Sequence, residues 1–380
     1  MHESGEPETI FEKGLGDNKM NLEQKDRIGQ YLRPHLGQII FDELSESYLE
    51  RAGLADILRD VPIPLRKTEL NNITTLTIAR NMAFVIGVDP AFQYRDNYIA
   101  YILRAFDKRF AEGLIADGVE WASKNDFDYA CIQFRAAFQI DPENADAYYC
   151  YGRACKDAYE LGEEEEFIGR FKAESLEAFE IATIKNPQLA EAYYFLGYGY
   201  VNMGLYVKAK LTWEEYLKLT EGRTADGIEE LRKEIRGRLL QLAEPVKIEE
   251  AYNLVLSGKY EEGIAALSPY CEGAFSSWWP LWFYLGTAHE VLEHREEAVD
   301  CFKRVLQYAP SNTDAMEELV HLYGQLGMAD MQEKYSKKLE IVRQNAEEDR
   351  RLAEENAAAR AEKKARLAEA SVTEGTGKIN

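Results

Sequence analysis

One spacing limits what this chain can become. From Trp282 a glycine follows four residues on (Gly286), an alanine twelve after it (Ala298), a phenylalanine four later (Phe302) and a proline eight beyond (Pro310). Leu114, Gly118, Ala130, Phe134 and Pro142 keep the same intervals. Tyr193, Gly197, Ala209 and Trp213 keep the first three, with Glu221 in the proline's place. Tyr148 and Gly152 open another copy, which Phe179 and Pro187 close. There the step from Gly152 to Ser175 is twenty-three residues instead of twelve, so an insertion of about eleven residues is expected around YELGEEEEFIG.

Such a period reads as two antiparallel helices joined by a tight turn. Small residues (Gly118, Gly152, Gly197 and Gly286 on one helix; Ala130, Ala209 and Ala298 on the other) are expected to face each other where the helices approach. The proline ends the second helix, because it cannot continue one and biases its predecessor away from helical geometry. One hairpin cannot bury its own apolar face, so three or more must stack. Residues that favour strands never alternate cleanly, so the fold class expected is all-α, with β structure at most marginal.

Trp282, Leu285, Gly286, Ala298, Phe302 and Pro310, with Leu196, Gly197 and Tyr200 in another copy, resemble the signature of the tetratricopeptide repeat family, although His289 stands where the family prefers Tyr. The resemblance covers four units, at about 111–144, 145–189, 190–223 and 279–312, and two degenerate ones at 244–278 and 313–346. It implies an α-solenoid whose first helices line a groove for a protein or peptide partner. The groove positions, carried over residue by residue, are Tyr149, Arg153 and Lys156; Tyr194, Tyr198 and Asn202; and Phe283, Thr287 and Glu290. Arg153 and Lys156 fall three apart on one helix face, where together they could hold a carboxylate. The same tyrosines could instead pack between neighbouring hairpins. The clamp that some relatives use for acidic chaperone tails is absent, since its places are taken by Ile115, Val119, Glu191 and Phe195.

Outside the array, residues 1–20 are polar and aperiodic and are expected to be disordered. Residues 21–107 read as a helical bundle or a diverged cap, with DRIGQYL, QIIFDELSESYLERAG, TLTIARNMAFVIGV and FQYRDNYIAYILRAF as helices and VPIPL as a break. The array occupies 108–346. A long polar helix, from about 329 to 370, docks on the last hairpin through Tyr335, Leu339 and Val342. Residues 347–380 are then an exposed charged helix and a frayed tail.

Charge and cysteine usage narrow the partners. The 45 basic against 67 acidic residues leave a net charge of −22, a field that repels phosphate backbones and anionic lipid, so neither nucleic acid nor membrane is expected. Five cysteines without a disulfide framework, no secretory h-region and no apolar run of membrane-spanning length point to a reducing, cytoplasmic setting. No catalytic, cofactor-binding or metal constellation stands out: His289 takes a packing position, Cys150 and Cys155 read as buried small hydrophobes, and Glu163–Glu166 as a solvated helix start. The expected function is a non-catalytic scaffold or adaptor, with self-association open. The alternative is a peptide-sensing regulator whose N-terminal bundle is an effector, although that region lacks a turn-centred DNA-binding motif. An enzyme carrying the array as an accessory has no support in the residues.

Overall fold

The computed structural model describes residues 26–69 and 73–375. The expected N-terminal disorder, and the last residues of the expected frayed tail, lie outside them. The described chain is all-α apart from one short strand pair, and it divides into two units with the boundary between Leu239 and Leu240.

Unit 1 begins with α1 (Gly29–Leu32), a 3-10 turn (Arg33–Gln38) and β1 (Ile39–Asp42). After α2 (Glu46–Ala52) and α3 (Ala55–Leu58), β2 (Ile63–Arg66) pairs antiparallel with β1, Ile39 opposite Arg66 and Asp42 opposite Ile63. The expected helix QIIFDELSESYLERAG is therefore half wrong. Its Ile-Ile-Phe run is β-branched and aromatic and goes extended, and only Glu46–Ala52 is helical. Pro64 is tolerated in β2 because a two-stranded sheet has free edges. Then α4 (Thr75–Val88) and α5 (Arg95–Phe106) follow, α4 opened by a capping box at Thr74. A single apolar core runs from Ile28 through α4 into the first two hairpins, as far as Ala178.

Those hairpins are α6 (Phe110–Ser123) with α7 (Phe127–Ile140), α8 (Ala145–Leu161) with α9 (Glu165–Lys185), and α10 (Ala190–Asn202) with α11 (Tyr206–Leu219). Asp126 and Asn144 cap α7 and α8 by accepting from backbone N–H groups, and Pro142 and Pro187 sit just past the ends of α7 and α9. Where Glu221 replaces the proline, the alternation stops and a single helix, α12 (Ile228–Gln241), intervenes. The insertion falls where expected and lengthens both helices. The α8/α9 pair has 17 and 21 residues against 13 and 14 in α10/α11, four and seven more. Its Glu165 and Glu166 lie exposed in the first turn of α9, where the helix dipole favours them. The added turns have a use: Tyr31 packs on Phe167 and Phe171, ring centroids 5.0 and 5.7 Å away.

The close approach inside each hairpin differs from the expected small-on-small contact. A Cβ on Gly118, Gly152 or Gly286 would fall 2.6–2.9 Å from the ring of Phe134, Phe179 or Phe302, and one on Gly197 would fall 2.1 Å from Trp213 Nε1. The glycine thus seats the aromatic ring four residues beyond the alanine. Ala130, Ala209 and Ala298 are fully buried nearby. At the alanine's place in the second hairpin, the Ser175 hydroxyl donates to the Gly152 carbonyl at 2.8 Å.

Unit 2 stacks α13 (Ala243–Leu256) with α14 (Tyr260–Leu267), α15 (Trp279–Val291) with α16 (Arg295–Tyr308), and α17 (Thr313–Gln325) with α18 (Ala329–Gly375). The last helix docks on α17 through Tyr335, Leu339 and Val342, as the apolar stripe requires, and runs on to Gly375.

Candidate functional site

The nine groove positions fall on α8, α10 and α15, the first helices of their hairpins, and most are half-buried at the seam with the following first helix. On α8, Arg153 Nη1 donates to the Tyr149 hydroxyl at 3.2 Å, and the guanidinium carbon lies 4.6 Å from the centroid of the Phe195 ring on α10. Lys156 Nζ is 6.0 Å from the centroid of the same ring, so both cations lie beside one aromatic side chain. The two differ in what else holds them. Lys156 is paired with Glu160 at 2.6 Å one turn on, whereas Arg153 Nε is shielded from water without a hydrogen-bond partner. No carboxylate among the described residues reaches the Arg153 guanidinium.

One seam further, α10 meets α12. The Tyr194 hydroxyl donates to the Glu234 carboxylate at 3.1 Å, and the Tyr198 hydroxyl donates to its other oxygen. Arg238 lies 5.7 Å from the Tyr198 ring. Burial and then the Glu234 carboxylate push the Tyr198 hydroxyl above its usual range, so it stays protonated and donates. Asn202 remains exposed at the end of α10. α12 itself buries one side chain, Ile235.

In unit 2, Phe283 packs edge-on against Phe302 at 5.5 Å, and the Thr287 hydroxyl donates to the Phe283 carbonyl at 3.1 Å. Glu290 is pushed up to about 7, first by burial and then by the neighbouring Glu318 carboxyl on α17. A carboxyl raised in the folded state favours folding below its unfolded value near 4.5, and that contribution is lost as pH rises through about 7. Glu290→Gln should therefore stabilise unit 2 at pH 8, by about 1 kcal/mol once solvent screening of a half-exposed group is allowed for, and leave it nearly unchanged at pH 5. Urea titrations at the two pH values check this; equal gains at both would refute it.

His289 is half-buried, its Nδ1 3.4 Å from that of His294 in the turn, and burial lowers its affinity for a proton. Cys155 is fully buried with its sulfur 3.8 Å from Cys131, and burial pushes the Cys150 thiol up to about 11. Among the described residues no three His, Cys, Asp or Glu side chains are placed to hold a metal ion, and no helix is long and apolar enough to cross a membrane. The residues that sequence reasoning missed are the seam partners Phe195 (noted only for what it replaces), Glu234, Arg238 and Glu318. Phe195 follows Tyr194 on an assigned helix and could have been found by helical spacing; Glu234 and Arg238 lie on α12, which carries no copy of the period.

The family model for the tetratricopeptide repeat matches residues 279–312, the α15/α16 hairpin. No curated protein matches the chain. Among solved structures it is similar to the Sgt2 TPR domain from Aspergillus fumigatus, 18% identical over 34% of this chain and 80% of that one, TM-score 0.28. It is similar also to the TPR domain of P58(IPK), 13% identical over 82% and 87%, TM-score 0.39. YrrB, described as a TPR protein with an unusual peptide-binding site, is 17% identical over 55% and 91%, TM-score 0.25. The matched hairpin in unit 2 is thus a tetratricopeptide repeat, and the same glycine-to-aromatic seat is built at α6/α7, α8/α9 and α10/α11.

Proposed function

We propose that this protein is a non-catalytic scaffold or adaptor that holds a peptide or partner protein along the first helices of unit 1, at Tyr149, Arg153 and Lys156 on α8 and Tyr194, Phe195, Tyr198 and Asn202 on α10. Interaction through such surfaces is the general business of the repeat family. The observation that carries the reading to this place is the α8–α10 seam, where half-buried aromatics frame a guanidinium that no acid among the described residues neutralises. Aromatic rings with polar tips and arginine are the side chains that carry most binding energy at interfaces.

The test blocks the face without touching its charge. Tyr149→Ala with Asn202→Trp removes one ring and plants a bulky one at an exposed position. A partner captured by the natural chain and then purified should bind the double variant at least tenfold more weakly, with circular dichroism showing both folded. Unchanged affinity for every purified partner would sink the proposal.

A further inference from the structure

Two seams of unit 1 are built from like groups but filled differently. Between α10 and α12, tyrosine hydroxyls from one helix close on a carboxylate, Glu234, with an arginine beside them. Between α8 and α10 the same kinds of group are present: the Tyr149 hydroxyl, the Arg153 guanidinium and the flat face of Phe195. The acid is missing. Two acids of these helices are otherwise engaged, Glu160 of α8 with Lys156 at 2.6 Å and Glu191 of α10 with Arg223 at 3.7 Å. In a chain with 67 acidic and 45 basic residues a guanidinium is easily matched, and Arg66, over the Phe84 ring with its Nε likewise without a partner, is another that is not. Most other described arginines, such as Arg27, Arg104 and Arg135, sit on a carboxylate.

We infer that the α8–α10 seam is a carboxylate subsite, and that the partner fills it with the acidic side chain of an extended peptide. The inference rests on the reading of this face as the partner-binding surface and adds the chemistry of what is bound. Arg153 is pre-organised for the task. Its plane is fixed by the Phe195 ring and its Nη1 by the Tyr149 hydroxyl, so little rotamer freedom is left to lose, and a planar fork matches a carboxylate bidentately. Lys156, on the same ring, adds charge at longer range. The wider acidic field of the chain opposes an acidic ligand, so affinity at this point has to come from short-range pairing in a half-buried place, where water screens least.

The probe is a fluorescein-labelled peptide of alternating glutamate and glycine, compared with the same peptide carrying glutamine or lysine, by fluorescence anisotropy on the full chain. The glutamate peptide should bind best. Arg153→Met, which keeps the apolar stem on Phe195, should weaken it at least tenfold, about 1.4 kcal/mol. Arg153→Lys should recover only part of the loss, because an ammonium lacks the fork. Arg59→Met, which removes the same charge from an exposed pair with Glu46, should change binding less than twofold. Equal binding of the glutamine peptide, or an equal loss in Arg59→Met, would overturn the carboxylate subsite. Binding of the glutamine or lysine peptide alone, abolished by Tyr149→Ala with Asn202→Trp, would overturn it while leaving the face as the partner surface. If no peptide binds in a way that either the Arg153 or the face-blocking variants change, both readings fall.

Discussion

A Gly197→Ala variant unfolds at lower urea, with the stability of unit 1 reduced by about 3 kcal/mol, the upper end for overpacking a well-filled core. The added methyl would have to stand 2.1 Å from Trp213 Nε1. That indole cannot step aside: its side chain is 1% exposed, its Nε1–H donates to the Tyr194 carbonyl at 3.1 Å, and its ring meets Tyr198 at 4.9 Å. Relief therefore requires α10 and α11 to separate, which opens the hairpin and displaces the tyrosines that hold Glu234. The control is the same substitution at Gly169, on the exposed side of α9, where an added Cβ meets nothing within 4 Å. There alanine should stabilise by about 0.5–1 kcal/mol through helix propensity alone. Urea denaturation followed by tryptophan fluorescence distinguishes the two, and a loss under 1 kcal/mol for Gly197→Ala would show that the ring has somewhere to go.

Asp26→Ala costs about 3 kcal/mol, for a different reason. Arg135 on α7 has a side chain only 4% exposed, paired with Asp26 at 2.9 Å, and its Nη1 is shielded without a hydrogen-bond partner. Removing one member of a buried pair strands the other charge, typically at 3–5 kcal/mol. The lower end is expected because the Asp26 side chain keeps 20% exposure and Glu174 lies within the same network through Tyr151 and Arg27. Adding Arg135→Met to Asp26→Ala should restore much of the loss, since the uncompensated charge is gone and an apolar side chain fills the place. A double variant no more stable than the single would mean that Asp26 acts through something other than this pair. The experiment also reports on the N-terminal segment. Arg27 pairs with Glu174 and Glu177, and Arg170 donates to the Arg27 carbonyl, so losing Asp26 loosens a strap across α7 and α9.

The hairpins were legible because their period is carried by residue types with few substitutes, so that a copy missing one of them still keeps the rest. A glycine that seats a ring, an alanine against it and a proline past the helix end recur at set intervals, and each leaves a mark in the sequence. What faced the glycine was not legible. Gly118, Gly152, Gly197 and Gly286 receive the aromatic ring, because a side chain leans back along its helix toward the N-terminus and covers a spot about a turn from its own Cα. The strand pair was missed for a related reason. Ile39–Asp42 and Ile63–Arg66 are each four residues long, too short for alternation to separate from a helical pattern, and they exist only as each other's partners.

The candidate face divides along the same line. Tyr149, Arg153, Tyr194 and Tyr198 could be named from helical spacing, since positions three and four apart share a face whatever surrounds them. Their partners could not. Whether Arg153 stands over Phe195 with no acid, or Tyr198 closes on Glu234, depends on which helix comes to lie alongside, and helix α12 carries no copy of the period. The sequence alone determined that the chain folds into stacked helical hairpins and which residues each first helix presents, because local spacing and backbone stereochemistry decide both. Tertiary structure decided which charges are neutralised and which remain open, because pairing depends on distances between residues tens of positions apart.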